Sequence, residues 1–311
     1  MNTQEKNKAQ SRRALAEIDR GNFDIMDELS APGATFDFPG GPKVDITGFK
    51  GFCAMFRAAF PDFVHDINDM VAEGEKVVRR LLESPLPVIS VLLPPKWVEE
   101  YRPLLEGRPE MITAYTTDKD LLEQLVGFSM YQGLLAVGKI PAPESLDEIL
   151  ARSPKPRLLV AVDGLSSAEN LGALVRNCAA FNAQALVVGE TSCSPFLRRA
   201  VRSSMGAIFH LPVAQVSGLA EAVHGLTRCG IRCIAAHPHI EGRTLSQADF
   251  TGDCCIVLGS EGHGISPPVL AACEESFAIP MPATVDSLNV GSAAAVFLYE
   301  ANRQRRRSPF A

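Results

Sequence analysis

The chain has 311 residues, of which 46% are hydrophobic and 21% charged, the ordinary range for a folded globular protein of about two domains. This composition excludes a disordered chain, a collagen-like repeat and a small disulfide scaffold, and no apolar run approaches the roughly 18 residues that span a bilayer. The net charge of −6 arises in the first half, since residues 151–311 carry 14 Lys and Arg against 12 Asp and Glu. An acidic chain is a poor nucleic-acid binder on average, although local basic clusters matter more than the total.

The N-terminus and the cysteines favour a cytoplasmic protein. The opening residues, MNTQEKNKAQSRR, lack the apolar core of a secretory signal. The eight cysteines form no CxxC pair and are most simply reduced thiols. His237 and His239 flank Pro238 at the end of a predicted strand, but without a third ligand we expect no metal site there.

The first half of the chain predicts two blocks. Residues 14–70 form one block with its own helices and with Gly- and Pro-containing turns at 32–42. Residues 75–141 predict a smaller α/β unit. Its predicted helices are 75–82, 97–105 and 118–126, and its predicted strands are 88–92, 111–115 and 133–137.

The second half begins after a proline-rich stretch, IPAPE at 140–144 and SPKPR at 153–157, which predicts a linker. Apolar runs and helical periodicity then alternate, which predicts an α/β domain with a mostly parallel sheet. The predicted strands are 158–163, 185–189, 232–237, 254–259 and 277–280, and the predicted helices are 168–182, 195–204, 217–228 and 290–304.

Three polar loops follow strands in this half and predict a ligand site. NLGALVR at 170–176 begins a helix, GSEGHG at 259–264 follows an apolar strand, and residues 279–290 lead into the last helix. Each loop alone has a plain structural explanation, such as a helix cap at Asn289. Three such loops in one sheet favour a ligand site, because open α/β sheets bind ligands at the carboxyl ends of their strands.

These motifs resemble a known family. NLGALVR, VLGSEGHGIS and IPMPATVDSLNVGSAAAVFLYEANRQR are similar, in order and spacing, to the three signature motifs of the SpoU/TrmH branch of the SPOUT RNA methyltransferases. The resemblance covers about residues 72–308, with the specific motifs confined to 158–308. It implies a C-terminal α/β domain with a trefoil knot, S-adenosylmethionine as methyl donor, 2′-O-methylation of a ribose in RNA, and a homodimer whose active site lies near the subunit interface.

The resemblance also implies roles for individual residues. Arg176 is the candidate for contacting the RNA and assisting deprotonation of the ribose hydroxyl. Because an arginine is normally protonated, it can instead position a phosphate that serves as the base. The other candidate catalytic residues are Asn170, Glu261, Ser287 and Asn289. The candidate cofactor-binding residues are Leu258, Gly259, Gly262, Ile279, Met281 and Leu288.

Two further resemblances concern the first half. VAEGEKVVRRLLESPLPVISVLL and GFSMYQGLLAVGKIP resemble the small L30e-like domain that precedes the knot in many relatives, which implies an RNA-recognition module. Residues 14–70 resemble instead the front part of a SnoaL-like α+β domain whose later strands are absent. The candidate RNA-binding residues are Arg79, Arg80, Lys96 and Arg199.

We therefore predict four segments and one reaction. The segments are a partial SnoaL-like extension (1–70), an L30e-like domain (71–141), a linker (142–156) and a SPOUT methyltransferase domain (157–311). The reaction is S-adenosylmethionine-dependent 2′-O-methylation of RNA, of rRNA rather than tRNA because of the L30e-like module.

Two other classes of function remain as alternatives. The first is a non-catalytic RNA-binding protein that retains the SPOUT fold, against which all five candidate catalytic residues are present. The second is a small-molecule enzyme acting through the SnoaL-like segment, against which half of that fold is missing.

Overall fold

The structure is a computed structural model that describes residues 24–30, 35–36, 44–51, 69–118, 120, 133–238, 240, 242–282 and 284–305. The chain divides into two compact units, residues 1–67 and 68–311. The described part of the first unit contains a short helix, helical residues at 46–51 and an antiparallel pair of strands, in keeping with an α+β extension. These elements are α1 (Ile25–Leu29), β1 (Thr35–Phe36) and β2 (Val44–Asp45).

The second unit begins with a mixed four-stranded sheet. Its strand order is β3-β6-β4-β5, with β4 and β5 parallel and the other two pairs antiparallel. Helix α2 buries Val77, Val78, Leu81 and Leu82, an apolar stripe at helical spacing that packs beneath the sheet. The elements are β3 (Asp69–Glu73), α2 (Glu75–Glu83), β4 (Val88–Leu93), α3 (Val98–Glu106), β5 (Thr113–Thr116) and β6 (Leu135–Lys139).

The predicted helices at 75–82 and 97–105 and the three predicted strands are present in this part, with ends shifted by up to two residues. Strand β3 was not predicted, and because it starts at Asp69 the last residues of the predicted extension belong to the second unit. The predicted helix at 118–126 lies almost wholly outside the described residues.

The segment predicted as a linker contains a helix, α4 (Leu146–Arg152). Ser145 and Glu148 form a capping box, in which each side chain accepts a hydrogen bond from the other residue's backbone N–H. Ile149 and Leu150 are buried in the same apolar cluster as the neighbouring parallel sheet. The linker prediction is therefore wrong for this stretch, because the prolines flank a packed helix.

The rest of the chain forms a six-stranded sheet in which every pair is parallel, so the predicted α/β fold is confirmed. Its order is β12-β10-β11-β7-β8-β9. The strands are β7 (Leu158–Asp163), β8 (Ala185–Val188), β9 (Val213–Gln215), β10 (Arg232–Ala236), β11 (Cys254–Gly259) and β12 (Glu275–Phe277).

Apolar clusters cover both faces of this sheet, which is why its central strands are continuous apolar runs. Helices α5 (Ala168–Ala180), α6 (Arg198–Ser203) and α9 (Val290–Arg305) lie with one cluster. Helices α4, α7 (Leu219–Arg228) and α8 (Pro267–Ala272) lie with the other. None of the described helices has the length and apolar character that crossing a membrane requires.

Candidate active site

The carboxyl ends of four parallel strands gather the predicted motifs at one edge of the sheet. β11 lies between β7 and β10, and β12 pairs with β10 on the outer side. The loop after β11 closes on itself, since the N–H of Ser260 donates to the carbonyl of Gly264 (3.1 Å) and the N–H of Gly264 donates back (2.8 Å). Gly264 adopts a φ of +66°, a conformation that glycine tolerates best.

Gly259 is required where β11 enters this loop. A Cβ at this position would lie 2.1 Å from the carbonyl carbon of Gly264 and 2.2 Å from the nitrogen of Ile265. Both neighbours are backbone atoms, so no side-chain rotation could relieve the clash. The glycine lets the returning loop pass directly over the strand end.

A cavity of about 370 Å³ lies beside this loop. All six candidate cofactor-binding residues line it, together with Glu261 and Ser287 of the candidate catalytic set. Several lining residues lie outside the three predicted polar loops and were not predicted to bind the cofactor, because the strand order and the position of α9 bring them to the cavity. They are Ala236, His237 and Pro238 at the end of β10, Phe277 at the end of β12, and Ala293 and Phe297 on α9.

Three side chains from the three motifs meet at a polar cluster formed by Asn170, Glu261 and Asn289. The Nδ2 of Asn289 donates to the Oδ1 of Asn170 (3.1 Å) and to the Oε1 of Glu261 (3.4 Å). The Nδ2 of Asn170 also donates to the Oε1 of Glu261. Because Glu261 lines the cavity as well, it connects this cluster to the cavity.

Asn289 is also the residue that caps α9. Its Oδ1 accepts a hydrogen bond from the N–H of Gly291 (2.9 Å). The Nδ2 of Asn177, on α5, donates to the carbonyl of the same glycine (2.7 Å). The capping and functional explanations of Asn289 are therefore compatible, since one end of its amide serves the helix and the other serves the cluster.

Arg176 is exposed on α5 and is not brought to the polar cluster. At 100° per residue, six positions place it about 120° around the helix from Asn170. Within the part of the chain that the structure describes, the Arg176 guanidinium makes no hydrogen bond or ion pair. Its side chain is therefore open to solvent in the described part of the chain.

The candidate RNA-binding arginines of the four-stranded sheet have partners within the protein. The Nε of Arg79 donates to Glu75 (3.0 Å), which raises the pKa of the arginine, and the guanidinium lies 5.1 Å from the centre of the Tyr101 ring. Burial raises the pKa of Tyr101 to about 12. Arg80 donates to the carbonyl of Met205.

The other two candidates are more accessible. The Nζ of Lys96 lies 5.5 Å from the centre of the Trp97 ring, and the lysine is exposed. Arg199 is 78% exposed at its side chain and forms a 3.4 Å ion pair with Glu169. Exposed pairs of this kind contribute at most about 1 kcal/mol, so an RNA phosphate can compete for these cations.

The described residues contain no group of three His, Cys, Asp or Glu side chains arranged to hold a metal ion. His237 lines the cavity at the end of β10, whereas His239 lies outside the described residues.

Comparison with known proteins gives two family matches. Residues 157–299 match the SpoU rRNA methylase family. Residues 11–84 match a SnoaL-like domain. The second match extends over β3 and α2, which in this structure belong to the four-stranded sheet of the second unit.

Relatives and solved structures agree with the first match. An uncharacterized tRNA/rRNA methyltransferase of Mycobacterium tuberculosis is 31% identical over 269 residues, covering 85% of this chain and 90% of the relative. The crystal structure of AviRb, a SpoU methyltransferase from Streptomyces viridochromogenes, aligns with a TM-score of 0.66 at 27% identity, covering 78% of this chain and 92% of AviRb. AviRb has also been solved in complex with the cofactor AdoMet, and that structure aligns at 28% identity over 76% of this chain and 91% of AviRb, with the same TM-score.

The identity and coverage of the mycobacterial relative, together with the family match over the parallel-sheet domain, place the chain in the SpoU/TrmH family of RNA methyltransferases.

Proposed function

We propose that this chain transfers the methyl group of S-adenosylmethionine to the 2′-oxygen of a ribose in RNA, in rRNA rather than tRNA. The observation that carries the proposal is the polar cluster of Asn170, Glu261 and Asn289 next to the cavity. One residue of each signature motif contributes to it, and all six candidate cofactor-binding residues line the adjoining cavity.

The cavity suits a ligand with an adenosine end and positive charges. Leu258, Phe277, Ile279 and Leu288 provide apolar surface for a base, and the backbone around Gly259 offers polar groups at close range. The carboxylates of Glu261 and Asp286 face the same space and favour a cationic group. S-adenosylmethionine, when bound, supplies an electrophilic methyl on a positively charged sulfur.

The reaction requires alignment and loss of one proton. The ribose oxygen forms a bond to the methyl carbon as the carbon–sulfur bond breaks, and the hydroxyl proton leaves to a base. We assign Asn170, Glu261 and Asn289 to fixing the edge of the cavity where these groups meet, and Ser287 to contacting the substrate or cofactor there. Fixed alignment of this kind lowers a barrier that the weakly nucleophilic hydroxyl alone leaves high.

Arg176 has the role of contacting the RNA. Its exposure and its distance around α5 from Asn170 support a site completed near a subunit interface, as in the homodimer that we propose. A guanidinium stays protonated at neutral pH, so we assign it to holding a phosphate, which can accept the ribose proton.

RNA recognition is assigned to the L30e-like domain, residues 71–141, with the SPOUT domain at 157–311. Lys96 and Arg199 are the candidate phosphate contacts that exposure supports best. Arg79 and Arg80 already serve internal contacts, so their contribution to RNA binding is expected to be smaller.

The test is transfer of labelled methyl to unmodified total RNA that has been separated into tRNA and rRNA. Label in the rRNA fraction supports the proposal, and label in tRNA alone would overturn the choice of rRNA. Glu261→Gln is expected to lose transfer while the fold stays intact by circular dichroism. Absence of label together with absence of S-adenosylmethionine binding would overturn the enzyme and leave a non-catalytic RNA-binding protein.

A further inference from the structure

A buried carboxylate joins the four-stranded sheet to the parallel-sheet domain. Glu73, the last residue of β3, is only 6% exposed. Its Oε2 accepts a hydrogen bond from the Nε of Arg198 (3.0 Å), and its Oε1 accepts one from the Nη1 of Arg202 (2.9 Å). Gly74, with a φ of +91°, turns the chain immediately after it, so the position of the carboxylate is set by the strand end.

The two arginines lie one helical turn apart on α6, so one carboxylate serves one face of that helix. A second contact lies just beyond the helix, where Arg80 of α2 donates to the carbonyl of Met205. A Cβ on Gly206, whose φ is +78°, would lie 3.1 Å from the Cβ of Arg80. Two elements of the four-stranded sheet unit thus hold α6 and the turn that follows it.

Helix α6 in turn lies directly against the helix that carries Asn170. A Cβ on Gly172 of α5 would lie 2.4 Å from the carbonyl oxygen of Ala200 and 2.7 Å from the Cβ of Ser203. The two helices therefore meet with backbone close to backbone, two residues from Asn170. A displacement of α6 relative to α5 is opposed by this close packing.

We infer that Glu73 is a positioning residue, which fixes the four-stranded sheet unit relative to the polar cluster so that RNA held by that unit presents one particular ribose to the cavity. The inference rests on the proposed function. Its structural basis is the path from Glu73 through Arg198 and Arg202 to α6, and from α6 across Gly172 to Asn170.

The burial of Glu73 separates this contact from an ordinary surface ion pair. Lys139 and Asp69 also form a 2.7 Å pair on β3 and β6, but both side chains are about half exposed. Exposed pairs contribute little, whereas the Glu73 carboxylate is withdrawn from water and its charge is balanced by two guanidinium groups of one helix. Without the carboxylate, the two charge-assisted hydrogen bonds that join the end of β3 to α6 would be lost.

Asp69→Asn is therefore the matched control for Glu73→Gln, since both variants convert a carboxylate on β3 into an amide. Arg202→Gln is a milder second variant that leaves Glu73 its contact with Arg198. The first measurement is hydrogen exchange on the full chain without RNA. Glu73→Gln is expected to raise exchange at α6 and at Met205 and Gly206 by about tenfold or more, Arg202→Gln by less, and Asp69→Asn not at all. Equal exchange at α6 in Glu73→Gln and Asp69→Asn would mean that Glu73 does not hold α6 in place.

The second measurement is methyl transfer to unmodified rRNA, with the methylated positions mapped. For Glu73→Gln we expect KM for RNA to rise about tenfold, label to appear at additional riboses, and the Kd for S-adenosylmethionine to stay within about twofold of wild type. A parallel loss of cofactor affinity, or a lower kcat at unchanged KM and unchanged sites, would overturn the positioning role. If the wild-type chain transfers no methyl to RNA, the proposed function fails and the positioning role fails with it, while hydrogen exchange still decides whether Glu73 anchors α6.

Discussion

Gly259→Ala tests the geometry of the proposed cofactor site most sharply. The added Cβ would lie 2.1 Å from the carbonyl carbon of Gly264 and 2.2 Å from the nitrogen of Ile265. Contacts between carbon atoms are favourable near 3.5 Å, so the loop at 260–264 must move by about 1.4 Å. That loop carries Glu261 and Gly262, both of which line the cavity.

A misplacement of about 1 Å in a catalytic site can cost about 100-fold in rate, equivalent to about 2.7 kcal/mol of transition-state stabilisation. We expect Gly259→Ala to lower kcat/KM for RNA by about that factor and to raise the Kd for S-adenosylmethionine at least about tenfold, as measured by calorimetry. Gly252→Ala is the matched control, because a Cβ there has no atom within 4 Å and the residue precedes the same strand. Unchanged cofactor affinity in a folded Gly259→Ala protein would mean that the loop at 260–264 does not form the cofactor site.

Substitutions at three further positions distinguish effects on methyl transfer from effects on stability. Asn289→Ala should lose methyl transfer and about 1 kcal/mol of the free energy of unfolding. Asn289→Asp keeps the hydrogen bond from the N–H of Gly291 and should therefore lose methyl transfer with a smaller drop in Tm. Equal Tm values for the two variants would contradict the capping role. Arg176→Ala should abolish transfer with the Kd for S-adenosylmethionine nearly unchanged, and an equal loss of both would remove it from the chemical step. The hydrogen bond from Arg108 lowers the pKa of Glu110 from 4.5 to about 2. The stability advantage of wild type over Glu110→Gln should therefore be complete above about pH 4.5 and be lost as the pH falls through about 2. A stability difference in urea unfolding that does not change with pH would contradict this.

The parallel sheet could be predicted because its strands are buried on both faces and appear as continuous apolar runs. The strand at 277–280 was placed too late, since β12 is Glu275–Phe277 and begins with a charged residue. Glu275 is stabilised there by a 3.1 Å ion pair with Arg232 on β10, a contact between strands distant in sequence. Helix α4 was not predicted, although Ser145 and Glu148 have the spacing of a capping box in the sequence.

The candidate site was predicted in its motif residues and only in part in its walls, since the six predicted cofactor-binding residues line the cavity together with residues that were not predicted. Asn170, Glu261 and Asn289 were singled out by the resemblance of their loops to the family's motifs, and the structure brings them together. Phe277 lines the cavity because β12 pairs with β10, and Ala236 lines it from the end of β10 itself. Pairings between distant segments leave no local pattern, so no inspection of periodicity could reveal them.

The same limit explains the arginines. A pair such as Arg79 and Arg80 indicates a basic surface from sequence alone. In the structure, Arg79 instead donates a hydrogen bond to Glu75, and Arg80 donates one to the carbonyl of Met205, 125 residues away. Whether a cation faces solvent or joins two parts of the fold depends on tertiary packing.

The position of the transferred methyl on the nucleotide distinguishes a ribose methyltransferase from a base methyltransferase. RNA labelled by the wild-type chain with S-adenosylmethionine is purified and hydrolysed in alkali, which cleaves a linkage only where the 2′-hydroxyl is free. Methylation of the 2′-oxygen protects that linkage, so the account predicts label in alkali-resistant dinucleotides. Label recovered only in mononucleotides would mean that the methyl is on a base and would contradict the account.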